Sequence, residues 1–269
     1  MKKVITVFDG ENFSESAINF VKQYPAVKKP LLVGVFLSSV DYSNEFSSIS
    51  MGGSIIPVID DVEKVAKNIK RFKSLCEMHQ LEYKMHNDSG EEALEQLREE
   101  TVFADLLILS SEHFFSRAGE EQPSANMRKI LERSECPVLL LPEEYNFPKN
   151  NIFAYDGSES SVYAIKQFSY VFPEFRGNES TLVYASDKEG DIPEKRLVEE
   201  LLGRHFKELH IHKLDFSPKK YFSTWLTERN EAIVVSGGYS TKGLRSIFHK
   251  NFMSEVLADH KVPVFIAHQ

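Results

Sequence analysis

The sequence predicts an α/β protein with two tandem doubly wound domains, each a five-stranded, mostly parallel sheet flanked by helices. Three observations support this fold class. Short apolar runs alternate with amphipathic helical segments along the 269 residues. An opening strand-and-turn pattern occurs twice, and so does a closing strand that follows a proline. Such alternation favours right-handed βαβ crossovers, which place helices on both faces of a parallel sheet.

Composition and charge restrict the classes of partner. Apolar residues make up 42% and charged residues 27% of the chain, the balance of a soluble globular protein. The net charge of −8 lacks the basic excess that a nucleic-acid-binding face requires. No apolar run approaches the ~20 residues of a membrane span. We therefore expect no nucleic-acid partner and no membrane partner.

The compartment is predicted from the two cysteines and from the first residues. Cys76 and Cys136 are too few for a disulfide framework, and Cys136 begins an apolar run, which favours a buried thiol. The apolar stretch between Lys3 and Asp9 is too short for a signal-peptide core. We expect a cytoplasmic protein.

The chain contains a tandem repeat. VITVFDGENFSESAIN begins at Val4, and NIFAYDGSESSVYAIK begins at Asn151. Asp9 matches Asp156, and the Ala-Ile pairs that follow match at the same offset. Two copies of one supersecondary pattern predict two copies of one domain.

The copies end with a second pair of similar segments. CPVLLLP closes the first half and VPVFIA closes the second. The polar segment EEYNFPKN lies between the halves, so we predict domains at 1–144 (copy one) and 150–269 (copy two). Copy one is longer because of an insertion at 38–60, which we interpret as a mobile surface segment; a flap or an interaction loop is the alternative.

Within each copy, strands are short runs rich in apolar residues and helices repeat apolar residues at intervals of three and four. In copy one we predict strands at 4–8, 31–37, 81–86, 105–110 and 138–141, and helices at 14–23, 60–79, 90–101 and 124–134. In copy two we predict strands at 152–155, 180–185, 209–214, 232–236 and 263–267, and helices at 159–171, 192–206, 217–229 and 244–259.

The pattern resembles the universal stress protein family over nearly the whole chain. The matching features are Asp156-Gly157-Ser158 after the first strand, a loop of small residues after the fourth strand, and the closing Pro-Val strand. The resemblance implies an adenine nucleotide alpha hydrolase-like, Rossmann-like fold. It also implies a non-enzymatic regulatory or binding module of the stress response, with no catalytic residue.

The resemblance also implies how the copies associate. In relatives the last strand commonly mediates pairing, which here means 138–141 and 264–267. We therefore expect an internal pseudo-dimer, because an unpaired strand edge is suited to such pairing. Two chains can associate further as a homodimer, and the protein partners are unidentified.

Relatives that bind ATP carry a phosphate loop of the form G-x2-G-x9-G-[ST], in which backbone N–H groups and a helix N-terminus hold the phosphates. Counting back from the closing proline places Gly237, Ser240, Lys250 and Asn251 at these positions in copy two. Only the first glycine remains, which indicates a degenerate loop. The same count in copy one gives Ser111, Phe114, Ser124 and Ala125, with no glycine.

The alternative function is binding of ATP or another adenine nucleotide in copy two, with slow hydrolysis. Lys250 supplies a charge that can hold phosphate, and Asn251 can cap a helix. The candidate nucleotide-binding residues are Asp9, Asp156, Ser236, Gly237, Gly238, Ser240, Lys250 and Asn251. Each aspartate has a structural alternative as the cap of a turn or of the next helix.

Two further interpretations have weaker support in the sequence. Resemblance to adenine-nucleotide-dependent ligases or electron-transfer flavoproteins stays open, although the SGGxDS loop of the ligases is absent. His210 and His212 alternate on a predicted strand and share a face. Because no third ligand accompanies them at suitable spacing, we predict no metal site.

Rebuilding the family loop tests the assignment of a degenerate loop. The triple change Ser240→Gly, Lys250→Gly and Asn251→Ser restores the G-x2-G-x9-G-[ST] pattern. We expect it to create or strengthen ATP binding, measured by isothermal titration against the unchanged chain. Tight binding by the unchanged chain would contradict the assignment.

Overall fold

Strands and helices alternate along both copies. The computed structural model describes residues 2–8, 12–37, 59–88, 93–112, 125–185, 190–214, 226, 229, 231–237 and 262–268. The strands of copy one are β1 (Lys3–Phe8), β2 (Leu31–Leu37), β3 (Tyr83–Asp88), β4 (Leu106–Ser110) and β5 (Val138–Leu141). Those of copy two are β6 (Asn150–Tyr155), β7 (Glu179–Ala185), β8 (Glu208–Leu214), β9 (Ala232–Gly237) and β10 (Val264–Ala267). The described helices are α1 (Ser16–Gln23), α2 (Ile59–Met78), α3 (Ala93–Val102), α4 (Ala125–Arg133), α5 (Glu159–Val171) and α6 (Lys195–His205).

All ten predicted strands are present, with ends that differ by two residues at most. The helix α6 begins at Lys195 instead of 192, because Glu194 adopts a left-handed conformation with φ 47° that no helix continues through. A 3-10 helix over Pro173–Gly177 was not predicted. Proline suits the first position of a helix, and burial of Phe175 holds this short turn in place.

Two predicted helices and the insertion fall largely outside the described residues. Of the helix predicted at 217–229, only 226 and 229 are described, and the helix at 244–259 is not described. Of the insertion at 38–60, only its last two residues are described, as the start of α2. These predictions therefore stay predictions, as do the exact domain bounds.

The ten strands form one sheet in the order β3-β2-β1-β4-β5-β10-β9-β6-β7-β8. The five strands of each copy are parallel and follow the same internal order, which confirms the predicted fold class. The copies meet where β5 pairs antiparallel with β10, with Leu139 opposite Phe265. The closing strands that the sequence singled out for pairing therefore form the seam.

Each face of the sheet carries one apolar core that extends through both copies. On the first face, Phe36 and Phe72 of copy one belong to the same cluster as Phe168 and Phe265 of copy two. Helices α1, α2, α5 and α6 contribute to this face, whereas α3 and α4 pack on the second. Strands buried on both faces are expected to be continuously apolar, and the LLILS of β4 fits this.

A second contact between the copies lies beside the seam. Phe20 of α1 packs against Phe172 and Phe175, with ring centroids 5.8 and 6.5 Å apart. The linker also takes part, because Phe147 lies 5.4 Å from Phe20 and the Tyr145 hydroxyl donates to the Ser16 carbonyl at 3.1 Å. Aromatic packing thus joins the first helix of copy one to the end of α5.

A polar triad closes this aromatic contact. Lys2 Nζ donates to the Tyr24 hydroxyl at 2.9 Å and lies 3.5 Å from Glu174 Oε2, and the Tyr24 hydroxyl donates to the same carboxylate. Burial lowers the pKa of Lys2 and raises the pKa of Tyr24. Burial also acts to raise the pKa of Glu174, but the Tyr24 hydrogen bond and the Lys2 charge outweigh it and the pKa is lowered.

No helix in the described ranges has the length and apolar character needed to cross a membrane.

Truncating Phe265 tests the contribution of the seam. Its side chain is 0% exposed and its ring lies 5.3 Å from that of Phe168. We expect Phe265→Ala to lower the free energy of unfolding by about 3–5 kcal/mol, through lost burial and a residual cavity. The control is Phe103→Ala, since Phe103 is 76% exposed. Urea unfolding measures both, and an equal effect of the two changes would contradict the prediction.

Candidate functional site

The candidate site lies at the carboxyl ends of β6 and β9. These two strands are neighbours, and Ala154 pairs with Ser236. The chain passes from β6 outward to β7 and β8 and then returns to place β9 on the other side of β6. Strand order therefore reverses between β6 and β9, and α/β proteins bind ligands at such a reversal. The structure thus brings the Asp156 turn and the Ser236-Gly237 strand end to one edge.

Asp156 caps the turn that leads into α5. Its side chain is exposed, and Oδ1 accepts a hydrogen bond from the backbone N–H of Ser158 at 2.9 Å. Ser158 in turn caps the helix, since its Oγ accepts from the backbone N–H of Ser161 at 3.1 Å. The structural alternative stated for this aspartate, the cap of a turn, therefore holds.

Gly157 is required by the segment that packs over this turn. Its φ is +82°, a conformation that favours glycine, and an added Cβ would lie 2.9 Å from Pro193 Cβ. The Tyr155 hydroxyl donates to the Pro193 carbonyl at 2.9 Å. Residues 190–194 are therefore held against the Asp156 turn by one close contact and one hydrogen bond.

Gly237 packs directly on the first turn of α5. A Cβ added there would lie 2.6 Å from the Ser161 nitrogen and 2.9 Å from the Ser160 carbonyl oxygen. Both are backbone atoms, so no side-chain rotation would relieve the overlap. The glycine at the first position of the predicted loop is therefore explained by strand–helix packing.

The neighbouring Ser236 is buried, and its hydroxyl donates to the Gly237 carbonyl at 3.2 Å. Of the predicted nucleotide-binding residues, the structure thus brings together Asp156, Ser236 and Gly237. The others lie outside the described residues, namely Asp9, Gly238, Ser240, Lys250 and Asn251.

Copy one has a different rim. The strand pairings align Ser110 with Gly237, because Val4 pairs with Leu106 and its counterpart Asn151 pairs with Ile233. Counting from the closing proline had placed Ser111 there, and this register is wrong by one residue. The reason is that the connection from the fourth to the fifth strand is one residue shorter in copy two.

The Ser110 hydroxyl donates to Glu143 Oε1 at 2.9 Å, where copy two has a glycine without a side chain. Glu143 follows β5, so this bond joins the ends of two neighbouring strands. A side-chain hydrogen bond therefore crosses the rim of copy one at this position, whereas in copy two the helix backbone of Ser160 and Ser161 packs against Gly237.

Sequence reasoning missed a cleft beside the copy-two rim. It lies between α5 and α6 and has a volume of about 400 Å³. The lining residues are Tyr155, Gly157, Ser158, Glu159, Val162, Tyr163, Lys166, Glu194, Leu197, Val198 and Leu201. Burial of the Tyr155 ring and the charges of Glu194 and Asp156 raise the pKa of the Tyr155 hydroxyl. The apolar residue Leu197 of α6, which is 52% exposed, is a sequence signal for the cleft.

Metal-ligating and thiol side chains form no further candidate site within the described residues. Within the described part of the chain no three His, Cys, Asp or Glu side chains cluster to hold a metal ion. His210 Nε2 lies 3.7 Å from Glu179 Oε1 at the sheet edge. Cys76 and Cys136 are free and buried, and burial raises the pKa of each thiol to about 12. Both thiols are protonated at neutral pH.

The fold and this switch-point rim define a duplicated, doubly wound α/β protein. No family model and no curated protein matches the sequence. A universal stress protein from Archaeoglobus fulgidus has a TM-score of 0.72 and 16% identity, covering 100% of this chain and 96% of its own. A proposed universal stress protein from Pseudomonas aeruginosa UCBPP-PA14 has a TM-score of 0.61 and 10% identity, covering 100% and 93%. A protein of unknown function from Pseudomonas aeruginosa PAO1 has a TM-score of 0.58 and 11% identity, covering 100% and 92%. The chain therefore has the universal stress protein fold, in agreement with the sequence resemblance.

Adding one methyl group at Gly237 tests the packing explanation. We expect Gly237→Ala to lower the free energy of unfolding by about 1–3 kcal/mol, because β9 or α5 must shift. The matched control is Gly203→Ala in α6, where an added Cβ meets no atom within 4 Å. That change should raise stability by about 0.5–1 kcal/mol. Chemical denaturation measures both, and a neutral Gly237→Ala would contradict the packing role.

Proposed function

We propose that this chain is a universal stress protein-like regulatory or binding module of the cytoplasm that catalyses no reaction and whose nucleotide loop is degenerate. The packing of Gly237 on α5 carries the proposal. A glycine kept by packing is no sign of retained phosphate binding, and the other loop positions hold Ser240, Lys250 and Asn251 in place of the family residues. Two buried, free thiols are compatible with a reducing compartment.

In this proposal the chain is an internal pseudo-dimer that presents surfaces to protein partners in a stress response. The antiparallel seam between β5 and β10 supports this, since it relates two copies of one fold. The aromatic contact around Phe20 adds a second attachment between the copies. With its closing strands paired internally, the chain offers β3 and β8 as the sheet edges for any further dimer.

The second candidate function is binding of an adenine nucleotide by copy two. One observation favours it: the Asp156 turn and the end of β9 converge on the N-terminus of α5. A helix N-terminus attracts anions, and an exposed carboxylate at the strand end can bind the hydroxyl groups of a ribose.

Titration with ATP decides between the two candidates. The purified chain is first checked for bound nucleotide by absorbance and mass spectrometry. We expect no co-purified nucleotide, no binding in the micromolar range by isothermal titration, and no ATP turnover. Micromolar binding that is lost in Asp156→Ala would instead make copy two a nucleotide sensor.

Two further variants sharpen that outcome. Asp156→Asn keeps an oxygen that can accept from the Ser158 N–H while it removes the charge, so it separates turn capping from ligand contact. Glu208→Ala removes an exposed carboxylate from the edge strand β8 and serves as the control for net charge. Binding that falls equally in all variants would assign the effect to charge alone.

A further inference from the structure

The cleft between α5 and α6 lies on one face of the sheet and borders the rim, since Gly157 and Ser158 of the Asp156 turn belong to its lining. Its aliphatic walls come from the two helices and not from β6 and β9, so a ligand held between them goes beyond the proposed function. The two helices run in the same direction, since each follows a strand of the parallel pair β6–β7. The aliphatic lining comes from Val162 of α5 and from Leu197, Val198 and Leu201 of α6. A volume of about 400 Å³ lies within the range of small-molecule sites.

The aromatic part of the cleft comes from Tyr155 and Tyr163. Tyr155 is 4% exposed, and its hydroxyl is held by the Pro193 carbonyl at 2.9 Å. Tyr163 adds a second ring from α5, and Leu197 is 52% exposed on α6. The half-exposed Leu197 and the two tyrosines therefore form the apolar wall of a concave site.

The charged groups of the cleft are arranged by helical position. Glu159 lies in the first turn of α5 and Glu194 immediately precedes α6, so both carboxylates stand at the same end. Lys166 lies two turns further along α5. Among the described residues neither Glu159 nor Glu194 has an ion-pair partner. The end beside the rim is therefore acidic and the opposite end is basic.

We propose that this cleft binds a small organic cation, a protonated amine on an aromatic or branched aliphatic body. The amine lies between Glu159 and Glu194, where it gains attraction from two carboxylates and from the face of a tyrosine ring. The apolar body lies against Leu197, Val198 and Leu201 and removes their surface from water. Lys166 disfavours a second positive charge at the far end.

The two carboxylates also have a structural role, because negative side chains stabilise helix N-termini. The test must therefore separate ligand affinity from helix stability. Replacement by glutamine removes the charge and keeps the size, and the melting temperature of each variant shows whether the helices persist.

The experiment uses the full chain with labelled leucine and valine methyl groups. Three probes of one size are titrated: phenethylammonium, phenethyl alcohol and hydrocinnamate. We expect saturable shifts of the Leu197, Val198 and Leu201 methyl signals, with an affinity for the cation about tenfold above that for the alcohol. The double change Glu159→Gln with Glu194→Gln should remove this preference, and Lys166→Met should leave or raise the cation affinity.

Three results would overturn the proposal. Equal affinity for all three probes would show an unspecific apolar cleft, and an absence of saturable shifts would show no site. A preference for hydrocinnamate that disappears in Lys166→Met would show an anion site. Glu208→Gln is the charge control at a distant strand. None of these outcomes depends on whether ATP binds at the rim.

Discussion

The antiparallel pairing of β5 with β10 is the constraint on which the rest of the structure depends. It merges two parallel five-stranded sheets into one, so each apolar core extends across the seam and includes side chains of both copies. It also reverses the strand direction. The carboxyl ends of β1 and β4 therefore lie at the opposite edge of the sheet from those of β6 and β9. No single small ligand can contact both rims, and the two copies are free to diverge at their rims while they remain joined at the core.

Divergence of this kind is visible in the described residues. At one equivalent position copy one has Ser110, bonded to Glu143, and copy two has Gly237, packed on α5. After its second strand copy one carries the insertion, whereas copy two folds 190–194 back over the Gly157 turn. The contact of Phe20 with the end of α5 is also asymmetric, because it uses the linker and a 3-10 helix found on one side only. The antiparallel β5–β10 pairing uses the same strand of each copy, whereas the contacts around it differ between the copies.

The sequence predicts the features that depend on local patterns. Apolar runs such as ADLLILS identify strands, and the similarity of the two copies predicts that both have the same strand order. The sequence does not predict features that depend on contacts between residues far apart in the chain. The left-handed Glu194 lies next to Pro193, whose carbonyl accepts from the distant Tyr155 hydroxyl, and the close approach of Gly237 to Ser161 also joins residues far apart in the chain. The sequence does not predict the cleft for the same reason, since its walls belong to two helices that the strand β7 separates in the sequence.

A glycine in a binding motif can be required by the ligand or by the packing of the fold, and the geometry of this rim distinguishes the two. Glycine has no Cβ and so permits close approach. A bound phosphate and a packed helix backbone each require a residue without a Cβ at such a position. At Gly237 the space where a Cβ would stand is already filled by the backbone of Ser160 and Ser161. Folding therefore requires glycine at Gly237 whether or not a ligand binds at the rim. A glycine at the first position of a phosphate-loop pattern is therefore no evidence of phosphate binding where strand–helix packing already demands it.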